Sequence, residues 1–274
     1  MAKKEYSISV LLPTRGRTEA LGRSVKSLFN RAVDLDKVQI IFGFDEDDAV
    51  GQDYFIKELQ PWLDEKGVNY TAMQFAPMTY AGLNRYYNAM AEQSDAEWLF
   101  IWNDDAVMET SGWDRQIIKY NGQFRLLKVH THNEHPYSIF PIVPSEWFEK
   151  FGYFSRHQMV DAELSQIAYY LDLIEIINVY VLHDRLDLTG NNDDETERVR
   201  VRFEGNPNDP RDFHHQGYFQ QRTADTEIIA GLMKEKGLDT TFWENVKSGK
   251  QDPWEKLKAN DPNKQMTQSR VTTQ

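Results

Sequence analysis

The sequence predicts an α/β protein with a mainly parallel sheet flanked by helices. In the first third of the chain, short apolar runs alternate with stretches of helical periodicity, a pattern typical of βαβ units. The run Trp98–Trp102 is too short for a free-standing helix, and polar residues flank it. Such a run fits a strand that is buried on both faces, as strands of parallel sheets are. We therefore place this strand at the centre of the sheet.

The elements before the central strand follow from composition and periodicity. Three further apolar runs that end near turn-forming residues predict strands at residues 7–12, 38–44 and 68–75. Apolar side chains at helical spacing predict helices from Thr18, over 55–63 and over 80–93. Pro61 limits or kinks the second of these helices. The order of these elements is that of a repeated strand–helix unit.

After the central strand the pattern becomes mixed. Helices are expected at 112–118, at 144–152 and from Asp161, and strands at 125–130, 138–143 and 176–182. From about residue 190 the chain is polar and rich in loop-forming residues, with one apolar helical stripe over 224–236. Beyond residue 247 there are few apolar anchors, so this tail is expected to be ordered only by docking, if at all. We therefore divide the chain into an α/β domain, 1–189, and a polar, partly helical C-terminal extension, 190–274.

Composition narrows the functional classes. The 274 residues are 40% hydrophobic and 27% charged, an ordinary globular composition, and no apolar run is long enough to cross a membrane. Residues 1–5 lack the apolar core of a signal peptide. The absence of cysteine excludes disulfides and thiolate metal sites, and we expect a cytoplasmic protein. The net charge of −12 argues against a broad nucleic-acid interface.

Two adjacent carboxylates follow the central strand directly. Aspartate is disfavoured inside strands, so Asp104 and Asp105 should lie just past the carboxyl end, the edge of an open α/β sheet where ligands bind. Neighbouring carboxylates repel each other unless a cation or strong donors offset the charge. A hard divalent cation, Mg²⁺ or Mn²⁺, shared with a phosphate would do so. The alternative is a solvated Asp-Asp turn.

Several features in sequence order resemble glycosyltransferase family 2. They are the strand and loop Ser9–Arg15, the strand end Phe44–Asp48, the Gly- and Asn-bearing helix from Gly82 through Asn84 and Asn88, Asn103–Asp105 in the place of a DxD motif, Val160–Leu164 and His183. The resemblance covers about residues 5–185. It implies the Rossmann-like GT-A fold and transfer of a sugar from a nucleoside-diphosphate sugar, with UDP as the expected nucleotide.

The resemblance also implies roles for donor-binding residues. Asp45 and the loop of Pro13, Thr14 and Arg15 would hold the nucleoside, and Arg15 or Arg17 would donate hydrogen bonds to the base or a phosphate. The alternative for both arginines is a solvated loop. Asn84 belongs to the same nucleotide-sugar-binding set.

Three positions around the DxD-like motif complete the donor side. Asp105 is our first choice as a metal ligand, and Asp104 would reach the ribose, the donor sugar or a second coordination position. Asn103 departs from an acidic pattern but can hydrogen-bond a hydroxyl. His183, at a predicted strand end, is either a further ligand of Mn²⁺ or Mg²⁺ or a structural histidine.

The same resemblance implies a general base at Asp161, with Glu163 as its competitor. At a helix start, residues i and i+2 point in different directions, so we expect one of the two to face the site. The alternative role for Asp161 is to cap the helix. A single base opposite the leaving group implies inversion at the anomeric carbon. Trp113, in a Gly-Trp-Asp turn after the metal motif, is our candidate for acceptor binding.

Other functions stay open at this point. A nucleotidyltransferase of related fold would normally carry a glycine-rich phosphate loop with a lysine, which Pro13–Arg17 is not. A non-catalytic nucleotide-sugar-binding or carbohydrate-binding module is the second alternative. His130, His132 and His135 suggest zinc only weakly, and we expect them at the surface or in the acceptor groove.

The acceptor and the oligomeric state are not determined by the sequence. The acceptor can be a glycan, a protein, a small molecule or a modified nucleic acid. Transferases of this type from large tailed bacteriophages, which this chain also resembles, can modify DNA bases, and a phage origin would place the protein in the host cytoplasm. We expect no membrane partner, since the sequence has no spanning segment.

Overall fold

The computed structural model describes residues 4–78, 80–132, 135–184, 208 and 212–254. Its eight strands are β1 (Tyr6–Thr14), β2 (Val38–Asp45), β3 (Asn69–Phe75), β4 (Ala96–Ile101), β5 (Ala106–Met108), β6 (Leu126–Thr131), β7 (Ile142–Pro144) and β8 (Ile174–His183). They form one sheet in the order β3-β2-β1-β4-β7-β6-β8-β5. An α/β fold with a largely parallel sheet, as predicted, is confirmed.

Nine helices flank the sheet in the described part of the chain. They are α1 (Thr18–Phe29), α2 (Ala49–Tyr54), α3 (Gln60–Lys66), α4 (Leu83–Glu92), α5 (Trp113–Ile118), α6 (Ser145–Phe151), α7 (Val160–Tyr170), α8 (Gln216–Glu235) and α9 (Thr241–Lys247). A π-helical turn, Phe55–Leu59, joins α2 to α3, and short 3₁₀ turns precede β2 and α4. Among the described residues, none of the helices is long and apolar enough to cross a membrane.

The first half of the sheet is entirely parallel. β1 pairs in parallel with both β2 and β4, and β2 pairs in parallel with β3. The residues of β4 from Trp98 to Ile101 are at most 2% exposed, because helices cover the sheet on both sides. Since parallel strands end at the same edge, the loops after β1, β2 and β4 meet there.

The second half of the sheet is mixed. β7 runs antiparallel to β4 and to β6, whereas β6 and β8 are parallel, and β5 returns antiparallel to β8. The β5–β8 pairing sets Ala106 opposite His183, and the Asp184 amide donates to the Asp105 carbonyl at 2.8 Å. This connection brings the end of β8 to the residues that follow β4.

Three element predictions differ from the structure. The strand expected at 138–143 is confined to β7, because the Ser138 amide donates to the Ser165 hydroxyl at 2.9 Å instead of to a neighbouring strand. β5 was not predicted, since three residues are too few for an alternation pattern. The helix expected from residue 224 begins at Gln216, after His215, whose ring accepts from the Gly217 amide.

The C-terminal helices share a hydrophobic core with the sheet domain. Ile229 and Met233 of α8 and Trp243 of α9 are buried in the same cluster as Leu164 and Ile167 of α7. The helical part of the expected extension is therefore packed onto α6 and α7. The rest of that extension, 190–207, 209–211 and 255–274, lies outside the described residues.

Candidate active site

The Asp104–Asp105 pair lies just past β4 and is buried. The turn that carries the pair closes with a hydrogen bond from the Ala106 amide to the Asn103 carbonyl at 3.2 Å. Asp104 is 1% exposed and Asp105 8% exposed, so the alternative of a solvated turn is wrong. The Asn103 side-chain oxygen accepts from the Tyr87 hydroxyl at 2.9 Å, which ties the turn to α4.

Asp104 is held by the loop after β1. The Thr14 hydroxyl donates to Asp104 Oδ2 at 2.7 Å, and Arg17 Nε donates to the same oxygen at 3.2 Å. A terminal nitrogen of Arg17 also forms an ion pair with Asp104 Oδ1. Burial raises the pKa of Asp104 to about 6, against the opposing effect of Arg17, and the charge of Asp105 raises it further. Thr14 and Arg17 therefore contact the predicted donor-site carboxylate directly.

Asp105 and His183 form the second half of the site. His183 Nε2 lies 3.4 Å from Asp105 Oδ1, and His183 is 4% exposed. Burial alone would raise the pKa of Asp105, but the His183 imidazole and the Arg17 guanidinium outweigh burial and leave it below its ordinary value. Within the described part of the chain, neither Asp105 Oδ1 nor His183 Nδ1 has a hydrogen-bond partner.

Asp105 and His183 together fit a hard divalent cation whose remaining coordination positions are filled by a bound ligand. One carboxylate oxygen and one imidazole suit Mn²⁺, and Mg²⁺ sites commonly use one or two carboxylates with phosphate oxygens and water. Among the described residues, no group of three His, Cys, Asp or Glu side chains has the geometry of a metal site. A cation here would therefore take its other ligands from a diphosphate and water.

The end of β2 forms a second polar cluster at the same edge of the sheet. Arg15 Nη1 donates to Asp45 Oδ2 at 2.6 Å and also pairs with Asp47. The Tyr86 hydroxyl donates to the other Asp45 oxygen. Asp48 accepts from the Gly51 amide at 3.0 Å and caps α2. Arg15 and Asp45 are thus neighbours, while Pro13 lies within β1 opposite Gly43.

Asp161 is the second residue of α7 and lies near the Tyr87 hydroxyl. The helix begins at Val160 with Met159 as its N-cap residue, so a capping role for Asp161 is wrong. Burial raises the pKa of the Tyr87 hydroxyl well above its ordinary value, and the charges of Asp161, Asp104 and Asp105 raise it further. All three carboxylates therefore lie within electrostatic range of one phenol.

Glu163 faces a different part of the molecule. It is 1% exposed and accepts a hydrogen bond from the Ser155 hydroxyl. Burial raises the pKa of Glu163 to about 7, an effect that Asp225 increases and that Ser155, Arg222 and Arg156 reduce. Its charged neighbours Arg222 and Asp225 belong to α8. Residues i and i+2 at this helix start thus point in different directions, in agreement with the helix geometry.

No family model and no curated protein matches the chain. Among solved structures, the chain is similar to the mannosyltransferase PcManGT from Pyrobaculum calidifontis in complex with GDP-Man and Mn²⁺, at a TM-score of 0.54 and 10% identity over 65% of this chain. It is also similar to S. aureus TarS in complex with UDP-GlcNAc, at a TM-score of 0.54 and 11% identity over 70% of this chain.

The chain has a GT-A-like glycosyltransferase fold. The similar region covers 56% of the PcManGT chain and 60% of the TarS chain, so the match is to part of each protein. At these identities the likeness concerns the fold. The GT-A sheet sets the carboxyl ends of β1, β2 and β4 side by side, where Thr14, Asp45 and Asp104 lie.

One predicted site residue, Trp113, is placed differently from the expectation. Trp113 is fully buried, and its indole N–H donates to the Leu28 carbonyl at 2.9 Å. No face of this ring is open to a ligand, so the prediction that Trp113 binds the acceptor is wrong. The Asn84 side chain donates to the Ser155 carbonyl at 3.2 Å and holds the loop before α7, while its role in donor binding stays a prediction.

The histidines in and after β6 do not form a zinc site in the described part of the chain. The His130 ring stacks on Tyr180 with centroids 4.7 Å apart, and His132 Nε2 lies 2.9 Å from Glu109 Oε2.

Sequence reasoning missed Tyr86 and Tyr87, whose hydroxyls bind Asp45 and Asn103. Their only signal was their position on a helix next to the Asn-bearing motif.

Proposed function

We propose that the protein is a metal-dependent, inverting glycosyltransferase that uses a nucleoside-diphosphate sugar. The observation that carries the proposal is the buried Asp104–Asp105 pair at the carboxyl end of β4, with Asp161 within electrostatic range of the same Tyr87 hydroxyl as the pair. The similar structures, which hold GDP-Man with Mn²⁺ and UDP-GlcNAc, support a nucleotide-sugar donor. UDP is the first nucleotide to test.

The donor would bind across the carboxyl ends of β2, β1 and β4. Open α/β sheets bind ligands at this edge. Asp45, which is oriented by Arg15 and Tyr86, would accept from the base or ribose. Thr14 and Arg17 orient Asp104, which would accept from a hydroxyl of the ribose or the sugar. Pro13, Asn84 and Asn103 border this surface as predicted contributors.

Asp105 and His183 would hold the cation. Their buried, converging oxygen and nitrogen atoms match Mn²⁺, with Mg²⁺ as the alternative. When bound, the ion would supply positive charge that stabilises the departing nucleoside diphosphate.

Asp161 would act as the general base. The acceptor oxygen attacks the anomeric carbon, the bond from that carbon to the diphosphate oxygen breaks, and the hydroxyl proton passes to the Asp161 carboxylate. The nucleoside diphosphate leaves with the electron pair of the broken bond. One displacement by one base gives inversion. Glu163 takes no part, because its neighbours are Ser155 and the charged residues of α8.

The proposal is tested by binding and slow hydrolysis of a panel of UDP- and GDP-sugars, with Mn²⁺ and with a chelator. We expect one donor to bind only with the metal, Asp105→Ala to abolish that binding, and Asp161→Asn to bind the donor without turnover. Glu163→Gln is the matched control, since it makes the same carboxylate-to-amide change two residues along α7.

Failure of every nucleotide-sugar to bind under any metal condition would overturn the proposal. Metal-dependent binding without turnover in the wild type would instead identify a non-catalytic nucleotide-sugar-binding module.

A further inference from the structure

The Arg17 guanidinium lies beside both carboxylates of the Asp104–Asp105 pair. It reaches both oxygens of Asp104, and its Nη1 is 3.6 Å from Asp105 Oδ2. The Arg17 side chain is 33% exposed, whereas the carboxylate of Asp104 is fully buried. The long side chain of Arg17, which follows β1, thus places a positive charge beside this buried carboxylate pair and offsets the repulsion between the two carboxylates.

This position is close to the predicted cation site. Asp105 presents one oxygen to His183 at 3.4 Å and the other to Arg17 at 3.6 Å. An ion held by Asp105 and His183 would therefore lie within a few ångströms of the guanidinium. Two cations at that separation in a partly buried site repel each other strongly.

We propose that Arg17 is a built-in counter-cation that weakens divalent metal binding in the free protein and couples metal binding to nucleotide binding. The two negative charges of a diphosphate would stabilise both Arg17 and the metal ion, so the repulsion is relieved only when the nucleotide is present. The metal and the nucleotide then each increase the affinity for the other by the same factor. The inference rests on the proposed function, because it assumes a metal-bound diphosphate.

Arg15 provides a matched comparison on the same loop. It carries the same charge, but its partners are Asp45 and Asp47 at the end of β2. Removing Arg15 therefore changes the net charge of the protein as much as removing Arg17 does. It leaves the cation beside Asp105 in place.

The experiment is a titration of the full chain with Mn²⁺ in the absence of nucleotide. The electron paramagnetic resonance signal of free Mn²⁺ measures how much of the ion is bound. We expect Arg17→Gln to bind Mn²⁺ at least about tenfold more tightly than the wild type, and Arg15→Gln to stay within about twofold of it. A purely structural role for Arg17 would lower Mn²⁺ affinity upon substitution. Repeating the titration of the wild type and Arg17→Gln with saturating UDP should show a smaller UDP-induced gain in the variant.

Three results would overturn the inference. They are Mn²⁺ affinity that is unchanged or weaker in Arg17→Gln, an equal gain in Arg15→Gln, and an equal UDP-induced gain in the wild type and Arg17→Gln. Hydrolysis of nucleotide-sugars by the wild type is scored separately. If the wild type hydrolyses no nucleotide-sugar but Arg17→Gln still binds Mn²⁺ more tightly than the wild type, the transferase function is rejected. The action of Arg17 on the metal site is then still supported.

Discussion

Two of the buried charge clusters in the described part of the chain differ in how far solvent reaches their cations. The first, the donor-site cluster, consists of Thr14, Arg17, Asp104, Asp105 and His183. The second, the α7–α8 cluster, consists of Ser155, Glu163, Arg222 and Asp225. Each contains an acid whose pKa is raised mainly by burial, to about 6 for Asp104 and to about 7 for Glu163.

The two clusters differ in the solvent exposure of their arginine side chains. Arg17 comes from a loop at the ligand-binding edge of the sheet and is one-third exposed. Arg222 is 2% exposed, donates to the Phe213 carbonyl at 3.0 Å and stacks over the Phe213 ring. Both clusters bury acids, but only the first has a partly exposed cation at the ligand-binding edge of the sheet. A raised pKa by itself therefore does not identify a reactive carboxylate, and access to a ligand must be added to it.

The largest expected effect is on turnover. Asp161→Asn should lower kcat for donor hydrolysis by about 10² to 10⁴, because the amide cannot accept the proton. Its donor affinity should stay within about twofold of wild type. Glu163→Gln should keep kcat within about tenfold, since Glu163 belongs to the α7–α8 cluster. Steady-state kinetics and calorimetric donor binding measure both quantities. The opposite ranking of the two variants would reverse the roles assigned to the clusters.

A second contrast concerns stability. Arg222→Met leaves Glu163 buried without the guanidinium that lowers its pKa, and we expect the free energy of unfolding to fall by about 3–5 kcal/mol. Arg17→Gln should cost about 1 kcal/mol, since the Arg17 side chain is one-third exposed and solvent screens its charge, and Mn²⁺ should recover the loss. Urea unfolding at pH 7 measures both variants. Equal losses would mean that the donor-site cluster is as inaccessible to solvent as the α7–α8 cluster.

Much of the fold could be predicted because parallel sheets leave a strong trace in the sequence. The strand around Trp98–Trp102 is apolar throughout since it is covered on both faces, and the acids after it fall at the sheet edge for the same reason. Thr14 and Asp45 follow neighbouring strands, so their place at this edge also follows from the topology.

The remaining features depend on contacts that sequence patterns do not encode. The Gly-Trp-Asp turn does not reveal that Trp113 points into the core towards Leu28. Arg222 and Asp225, the charged neighbours of Glu163 on α8, are far along the chain, so their approach to Glu163 depends on how α8 packs on α7. Tyr86 and Tyr87 are adjacent aromatic residues in a helix, which favours a core role, while their hydroxyl groups contact Asp45 and Asn103.

The pH dependence of stability should separate the clusters further. Glu163 has a pKa of about 7 in the folded protein, against an ordinary value of 4.5. The folded state therefore binds the proton more tightly, and stability falls as the pH rises from about 4.5 to 7. At 1.36 kcal/mol per pKa unit the full loss is about 3 kcal/mol. Glu163→Gln should lack this loss, so its stability relative to wild type should rise over that interval. If the free energy of unfolding changed with pH equally in the two proteins over this range, the raised pKa assigned to Glu163 would be contradicted.

A last contrast concerns the hydroxyl donors of the two clusters. Ser155→Ala removes the hydrogen bond to Glu163, and the carboxylate has no water to replace it, so we expect a loss of about 2 kcal/mol in the free energy of unfolding. Thr14→Val removes the 2.7 Å hydrogen bond to Asp104, but Arg17 still donates to the same oxygen, so the loss should be about 1 kcal/mol or less. Thermal denaturation resolves this difference. A larger loss for Thr14→Val would show that Arg17 does not compensate for the hydroxyl, and would weaken the view of Arg17 as the principal partner of the carboxylate pair.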